Sequence, residues 1–349
     1  MTILWFFVFS LLKSIVVTVI FLMGVAYTVL LERKLVARIQ NRWGPTRVGP
    51  FGLLQPLVDG AKSFLKEDLI PTSVYKPLYL LAPLISLGCA LISISVVPFG
   101  NPAINYKGFR YFEISDVNVG LLVILAVTSV GVYGIALSGW SSNNKYSLLG
   151  SLRSSAQLVS YELALGLSLV GVVLRAGSLN LREIVESQSR RGILSWNVFG
   201  GLQFIAFFIY LMAAYAETNR SPFDLPEAES ELTGGYHTEY SSMKFAMFFM
   251  AEYGNMITVG CVATLLFLGG WTSPFGNLVP LPQNAFLLAV LPLFWFVFKV
   301  FSFLFLYVWV RGTLPRFRYD QLMNYGWRFL LPLAILNIVG TSLWLAYRQ

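Results

Sequence analysis

Six carboxylates lie within 24 residues in the segment ETNRSPFDLPEAESELTGGYHTEY, residues 217–240. Four of them, Asp224, Glu227, Glu229 and Glu231, fall within eight residues of one another. Because apolar stretches flank the segment, these acids lie beside a lipid-like environment, where an unpaired charge costs several kcal/mol. Such groups persist when they are paired, hydrated or able to keep a proton. The cluster therefore indicates proton or cation chemistry.

Ionisable residues also lie inside apolar stretches, notably Glu162 in SYELALG, Glu252 in MAEYGNM and Lys299 in FVFKVFS. An ionisable side chain in a membrane segment points to function by default. Burial and neighbouring like charges favour the protonated carboxyl form, so such acids could exchange protons near neutral pH. The candidate proton relay comprises Glu162, Glu217, Asp224, Glu227, Glu229 and Glu231. The alternative is a static network of ion pairs, for which Arg153 and Arg220 are available cations.

The elements that carry these residues are predicted to be membrane-spanning helices. The chain has 349 residues, of which 56% are hydrophobic and 12% charged, as in multi-spanning membrane proteins. Stretches that could cross a bilayer core, which takes about 20 helical residues, occur near residues 3–31, 77–99, 117–140, 155–175, 198–216, 243–269, 285–310 and 326–347. The sequence thus predicts an all-α integral membrane protein, a single polytopic domain over 1–349 with about eight spans.

The loops between the spans carry unequal positive charge. One set of alternate connections holds 16 Lys and Arg residues and the other holds 8. Since cytoplasmic loops are enriched in these residues, the acidic loop 217–242 is predicted to face the cytoplasm and both termini the opposite side. The net charge of +8 then belongs to loops that meet lipid headgroups, and nucleic-acid binding is excluded.

Cysteine and histidine usage excludes several mechanisms for this chain alone. Cys89 and Cys261 are isolated within apolar segments, and His237 is the only histidine. No cysteine pair for an iron–sulfur cluster or zinc, no bis-histidine haem site and no phosphate-binding loop are present in the sequence. We therefore expect no cofactor on this chain, with the driving force supplied by a partner, a substrate or an ion gradient. His237 and Tyr240 are candidate hydrogen-bond donors.

The first long loop contains an amphipathic helix after the first span. In GLLQPLVDGAKSFLKE, residues 52–67, apolar residues recur at helical spacing and charged residues fall on the other side. Its functional interpretation is an interfacial helix at the lip of an opening for a lipid-soluble molecule, and the alternative is a surface helix that caps the bundle. Just before it, a turn with two Gly-Pro steps is predicted to hold five cations, which either anchor the loop at the headgroups or pair with the acidic loop.

Several long motifs resemble those of one family. GLLQPLVDGAKSFLKE (52–67) and PFDLPEAESELTGG (222–235) look like the signature stretches of the H-subunit family of bacterial proton-pumping NADH:quinone oxidoreductase, respiratory complex I, which includes mitochondrial NADH dehydrogenase subunit 1. ERKLVARIQNRWGPTRVGP, AAYAETNRSPFD and GYHTEYSSMKFAMFFMAEY extend the resemblance over nearly the whole chain.

The resemblance implies a subunit at the junction of a peripheral redox arm and a membrane arm, forming much of the ubiquinone cavity. It implies partners: quinone-module subunits of the peripheral arm, antiporter-like membrane subunits, ubiquinone and lipids, with NADH, FMN and iron–sulfur clusters on partner subunits. It assigns the candidate relay above to proton coupling. It also assigns charged and aromatic positions to the quinone-binding region, namely Arg33, Arg38, Arg42, Lys62 and Phe223. The implied location is the bacterial inner membrane, rather than the mitochondrial one, with periplasmic termini.

Two other functions remain open from sequence. A stand-alone secondary transporter could use the same carboxylates to couple an ion to a solute. A purely structural anchor for a peripheral arm would need the glutamates for assembly alone.

Overall fold

A computed structural model describes residues 3–101, 105–106, 109–110, 112–189, 192–224, 234–276 and 285–348. The regular structure of the described chain is helical apart from one antiparallel pair of two-residue strands, β1 (Asn105–Tyr106) and β2 (Phe109–Arg110). The α-helices are α1 (Ile3–Ile39), α2 (Gln55–Leu65), α3 (Lys76–Ser95), α4 (Gly120–Ser141), α5 (Lys145–Ala176), α6 (Leu181–Ser187), α7 (Gln203–Glu217), α8 (Ser242–Phe267), α9 (Ala285–Thr313), α10 (Tyr319–Tyr325) and α11 (Leu331–Arg348). A π-helical turn, Gly326–Leu330, joins the last two.

Within the described residues, seven helical segments are long and apolar enough to cross a membrane. They are Phe7–Ile39, Lys76–Ser95, Gly120–Ser141, Lys145–Ala176, Ser242–Phe267, Leu287–Thr313 and Tyr319–Tyr347. The predicted all-α membrane fold is confirmed. The predicted span 198–216 is the shorter helix α7, whose 15 residues rise about 22 Å against a core of about 30 Å. The single-domain assignment stays a prediction.

Two helices extend beyond the predicted spans. α1 continues to Ile39, because strong helix formers follow one another until the chain reaches Asn41, where φ is 55°. The first cations of the predicted turn therefore lie on a helix. α5 begins at Lys145, where the Asn144 side chain accepts a hydrogen bond from the Tyr146 amide at 3.0 Å. The amphipathic helix α2 lies inside the predicted range 52–67, and a proline stands in its first turn.

One hydrophobic core joins the spans. It includes Val25 of α1, Ile94 of α3, Leu169 of α5, Ile209 of α7 and Leu265 of α8, all buried. Small residues bring neighbouring helices close, as they do in membrane bundles. A Cβ at Gly134 of α4 would lie 2.2 Å from the Ser86 hydroxyl oxygen of α3. The polar residues described below are therefore held on tightly packed helices.

The intramembrane Lys299 is bound by backbone. Its ammonium donates to the carbonyl oxygens of Leu268, Gly270 and Thr272 at 2.7, 2.8 and 2.8 Å, and it lies 4.2 Å from the centre of the Trp196 ring. These contacts tie α9 to the turn that ends α8. Lys299 thus has a structural role in satisfying the carbonyls at a helix C-terminus.

Gly150 of α5 lets the backbone of Gly235 approach closely. A Cβ at Gly150 would lie 2.8 Å from the Gly235 Cα, whereas a Cβ at Gly166 on the same helix has no neighbour within 4 Å. We expect Gly150→Ala to cost about 1–3 kcal/mol, since backbone must move, and Gly166→Ala to cost nothing measurable. The temperature at which the epitope-tagged chain aggregates in solubilised membranes measures the difference. Equal midpoints for the two variants would contradict the packing described.

Candidate functional site

Three glutamates from three helices line one internal cavity. Glu162 of α5, Glu217 of α7 and Glu252 of α8 share the wall of a cavity of about 50 Å³. A volume of this kind holds about three to five waters, at roughly 10–15 Å³ each. The structure thus brings together two members of the predicted relay and the intramembrane Glu252. Hydrated carboxyl groups in one cavity are able to exchange protons.

Helix α5 fixes the chain that follows Glu217. The buried Gln157 amide donates to the carbonyl oxygens of Ala216 and Phe223 at 2.8 and 2.9 Å. Asn219, which adopts a left-handed backbone conformation with φ of 49°, donates from its amide to the Ser154 hydroxyl at 3.0 Å. These bonds satisfy backbone groups that leave the helical ladder at the end of α7. The turn after Glu217 is consequently fixed in position.

Glu162 has a partner on α4. The Ser129 hydroxyl hydrogen-bonds to the Glu162 carboxylate and also lies 2.9 Å from the Leu125 carbonyl oxygen. A hydroxyl can donate to a carboxylate or accept from a protonated carboxyl group. Ser129 can therefore bond to either protonation state of Glu162.

A buried chain of charges leads away from the cavity. Glu252 lies 2.6 Å from the Arg220 guanidinium, which lies 3.7 Å from the Glu32 carboxylate. Glu32 also pairs with Arg311 and accepts a hydrogen bond from the Tyr253 hydroxyl at 2.8 Å. The Tyr253 ring lies under the Arg220 guanidinium, 4.1 Å from ring centre to carbon. Arg220 and Glu32 are 5% and 8% exposed, so these charges are stabilised by one another rather than by water.

A second, larger cavity begins at the far end of this chain of charges. Its volume is about 470 Å³, within the range of small-molecule sites, and its wall combines cations with an indole ring. The lining residues are Glu32, Arg33, Val36, Arg42, Trp43, Gly44, Pro45 and Arg311. Glu32 and Arg311 belong both to this wall and to the buried charges. The series Arg311, Glu32, Arg220, Glu252 therefore connects the larger cavity to the glutamate cavity.

Only some of the residues that the sequence assigns to the quinone-binding region lie at this larger cavity. Arg33 and Arg42 line it, and Arg38 stacks on the Trp43 ring at 4.5 Å. Lys62 is exposed on α2, which packs against α1. Phe223 is buried in the core, 5.6 Å from Phe317 between ring centres. Their roles in quinone binding stay predictions.

The acidic loop is only partly described. Asp224 accepts a hydrogen bond from Arg316 at 3.0 Å. Glu227, Glu229 and Glu231 lie outside the described residues. The sequence predicts that the cations after the first span either anchor the chain at lipid headgroups or pair with this loop. One of them, Arg33, pairs with Asp59 of α2 at 2.7 Å. Asp224, in the described part of the loop, thus has a cationic partner from the segment after α9.

His237 and Tyr240 are packed rather than solvated. His237 meets the rings of Tyr236 and Phe245 edge to face, and burial lowers the pKa of His237 to about 4, so its ring is neutral at pH 7. The Tyr240 ring stacks 4.2 Å from Tyr79, and its hydroxyl donates to the Tyr79 carbonyl oxygen at 3.2 Å. Burial raises the pKa of Tyr240 to about 12.

Sequence reasoning does not identify Glu32, Arg311 or Ser129. Glu32 stands beside Arg33 and Lys34, so the cations dominate the local pattern. Its partners Tyr253 and Arg311 are 221 and 279 residues away along the chain. The available signal is the position of Glu32 and Arg311 at the ends of apolar spans, where charges need partners. No group of His, Cys, Asp and Glu suited to a metal occurs among the residues that the structure describes.

The fold and this site define a class: a polytopic membrane protein in which buried ion pairs link an internal carboxylate cavity to a larger cationic one. The family model for NADH dehydrogenase matches residues 12–342. An H subunit of NADH-quinone oxidoreductase from Koribacter versatilis, the second of that organism, is 62% identical over 98% of both chains, and the first H subunit of Solibacter usitatus is 50% identical over 98% of both. The H subunit of Protochlamydia amoebophila is 50% identical over 91% of both. The chain belongs to the NADH dehydrogenase family that contains these H subunits.

Arg220 is the cation between two buried acids, so its removal leaves both without their shared partner. We expect Arg220→Met to destabilise the chain by about 3–5 kcal/mol, the usual cost of breaking a buried pair. The control is Arg182→Gln on α6, whose pair with Glu186 is half exposed and contributes less than about 1 kcal/mol. Aggregation temperatures in solubilised membranes give the comparison. A midpoint for Arg220→Met equal to that of the control would contradict a structural role for the network.

Proposed function

We propose that this chain is a membrane subunit of an NADH:quinone oxidoreductase that forms much of the ubiquinone cavity and couples quinone reduction to proton translocation. Membership of the H-subunit family supports the assignment to this complex. The observation that carries the coupling is the buried series of charges that begins in the wall of the larger cavity and ends in the glutamate cavity. A purely structural anchor does not require that connection, and membership of the H-subunit family favours the oxidoreductase over a solute transporter.

The larger cavity has the chemistry to receive a quinone headgroup. Arg33 and Arg42 can donate hydrogen bonds to carbonyl oxygens, and Trp43 offers a ring for stacking. Arg38 stacks on that ring and supports it. The predicted lip, α2, packs against α1 and α8 and leaves much of its apolar surface exposed, as expected of a helix at a membrane surface.

In the proposed mechanism, the electrons come from an iron–sulfur cluster of a partner subunit, and the bound quinone takes up two electrons and two protons. The electrons reach the quinone from the partner subunit and the protons come from elsewhere, so the negative charge that the electrons bring acts first on Arg311 and Glu32, which line the cavity. Arg220, held between Glu32 and Glu252, passes the change on because a shift toward one acid weakens its attraction to the other. The protonation of Glu252, Glu217 and Glu162 then changes in the shared cavity.

The proton path is proposed to continue toward antiporter-like partner subunits. Glu162 lines the cavity, and its carboxyl group is hydrogen-bonded to Ser129 of α4. The acidic loop with Asp224, Glu227, Glu229 and Glu231 is assigned to the cytoplasmic side. We assign the complex to the bacterial inner membrane from the similarity to bacterial H subunits. The distribution of Lys and Arg supports the proposed orientation, with the acidic loop in the cytoplasm and both termini in the periplasm. NADH, FMN and the iron–sulfur clusters are assigned to partner subunits.

Removing the ionisable groups of the glutamate cavity tests the coupling. In sealed inner-membrane vesicles, we expect Glu217→Gln and Glu162→Gln to lower NADH-driven proton translocation about a hundredfold or more, the lower end of the usual scale for losing a positioned proton-transfer group. Oxidation of NADH by a water-soluble artificial acceptor should be unchanged, since it needs no relay. Glu186→Gln on α6, which is half exposed and does not line the cavity, is the control.

Unchanged proton translocation in both relay variants would exclude the proposal. Loss of assembly without any effect on the turnover of assembled complexes would favour the anchor. Solute uptake by the purified chain alone in liposomes would favour the transporter.

Trp43 tests the quinone assignment of the larger cavity. We expect Trp43→Ala to raise the KM for a short-chain ubiquinone roughly two- to tenfold, with kcat nearly unchanged, because one aromatic contact is worth about 0.5–1.5 kcal/mol. Trp140→Ala on α4 is a matched control, because the two indoles are 75% and 72% exposed and Trp140 does not line the cavity. A KM that rises equally in both variants, or in neither, would remove the quinone from this cavity.

A further inference from the structure

A pair of stacked tyrosines adjoins Glu217 and has no part in the function proposed above. Tyr215 of α7 and Tyr307 of α9 stack with ring centres 3.9 Å apart and ring planes 24° apart. Both side chains lie in the core, 2% and 4% exposed. Two phenylalanine rings would stack and fill this part of the core equally well. Packing therefore does not explain why both rings carry a buried hydroxyl group.

These two hydroxyls and one oxygen of Glu217 have one property in common. The Tyr215 hydroxyl, the Tyr307 hydroxyl and Glu217 Oε2 are buried and have no hydrogen-bond partner among the residues that the structure describes. A buried polar group without a partner is costly, and most such groups in proteins are satisfied. Two hydroxyl donors and one carboxyl oxygen acceptor thus lack partners near the end of α7. This suggests that a hydroxyl hydrogen-bonds to the carboxyl group when the charge of Glu217 changes.

Of the two hydroxyls, that of Tyr307 is the one placed to act on Glu217. The Tyr307 ring stacks on Tyr215, two residues before Glu217, so Tyr307 packs against the last turn of α7, which ends at Glu217. Its hydroxyl has no hydrogen-bond partner among the described residues. Thr218 and Glu217 both line the glutamate cavity. The neighbouring Tyr210 is already committed, because its hydroxyl donates to the Val259 carbonyl oxygen at 2.8 Å.

We propose that Tyr307 is a positioning residue for proton transfer: its hydroxyl donates a hydrogen bond to Glu217, directly or through one cavity water, when Glu217 is ionised. Stacking on Tyr215 holds the ring in place. When Glu217 is protonated, the Tyr307 hydroxyl turns toward Thr218, whose hydroxyl oxygen can accept. No covalent bond changes and Tyr307 keeps its proton; only its hydrogen-bond acceptor changes. This inference rests on the proposed role of Glu217 in the relay.

A donor that bonds only the ionised form makes the proton easier to remove. Hydrogen bonds to charged groups contribute about 1.5–3 kcal/mol, which corresponds to roughly one to two pH units. The charged and titratable groups that face Glu217 from the elements packed around it are Glu162 of α5, Glu252 of α8, Arg220, Tyr210 of α7 and Tyr307 of α9. Among these residues, Tyr307 is the suitable one to mutate. Tyr307→Phe removes a hydroxyl without changing a formal charge, whereas Tyr210→Phe also removes a hydrogen bond to the backbone.

The test uses the complete complex in sealed inner-membrane vesicles and records NADH-driven proton translocation against pH. One limb of this pH profile is expected to depend on ionisation of Glu217. Because Tyr307→Phe removes a donor to the Glu217 carboxylate, we expect the half-maximal pH of that limb to rise by about one unit. Tyr210→Phe, which loses a structural hydrogen bond of equal burial, should leave that pH unchanged. In a Glu217→Gln background, Tyr307→Phe should have no further effect.

Three outcomes would overturn the inference: an unchanged profile in Tyr307→Phe, an equal shift in Tyr210→Phe, or an undiminished effect of Tyr307→Phe in the Glu217→Gln background. If Tyr307→Phe does not assemble, a monofluorinated tyrosine at 307 keeps the shape with a stronger donor, and the half-maximal pH must then move downward. If Glu217 has no role in the relay, Glu217→Gln alone will leave proton translocation intact. That result distinguishes failure of the proposed function from failure of this inference.

Discussion

The structure depends on how Arg220 is stabilised away from water. A guanidinium that is 5% exposed is tolerable in a membrane protein only with anionic partners on more than one side. Glu252 and Glu32 provide these, and the Tyr253 ring provides a third favourable face. Because the two acids belong to α8 and α1, satisfying one cation fixes the relative positions of two spans and of the turn that carries Arg220.

That requirement places the two cavities at opposite ends of one electrostatic unit. Glu32 cannot move within the larger cavity without changing its distance to Arg220, and Arg220 cannot move without affecting Glu252. The low dielectric of the surroundings strengthens each of these interactions relative to water. A charge that appears at one end is therefore felt at the other through the ion pairs themselves, with no need for a continuous file of water.

Much of this could be predicted from local sequence. The apolar stretches predict the spans, since helices in lipid must satisfy their own backbone, and isolated acids such as Glu162 within them stand out against a background of 12% charged residues. The ends of elements were less accessible. α1 continues past the predicted bilayer boundary because nothing in its local sequence stops a helix there, and α7 is shorter than predicted because the chain before it adopts 3₁₀ geometry.

The pairing of charges could not be predicted from sequence. Glu32 has cationic neighbours in sequence, yet its partners come from α8 and from the end of α9, a choice made by the packing of spans far apart along the chain. Phe223 is conspicuous in its motif, but its ring belongs to the core. Local pattern thus identifies which residues can do chemistry, whereas tertiary packing decides which of them meet.

We propose that the glutamates of the internal cavity change protonation when the quinone is reduced. Redox-induced infrared difference spectroscopy of the complete complex tests it most directly, because the carbonyl stretch of a protonated carboxyl group is absent from the carboxylate. We expect carboxyl bands that appear or vanish with quinone reduction, shift in heavy water and are lost in Glu217→Gln. A difference spectrum without Glu217-dependent carboxyl bands, in a complex that still pumps, would contradict it.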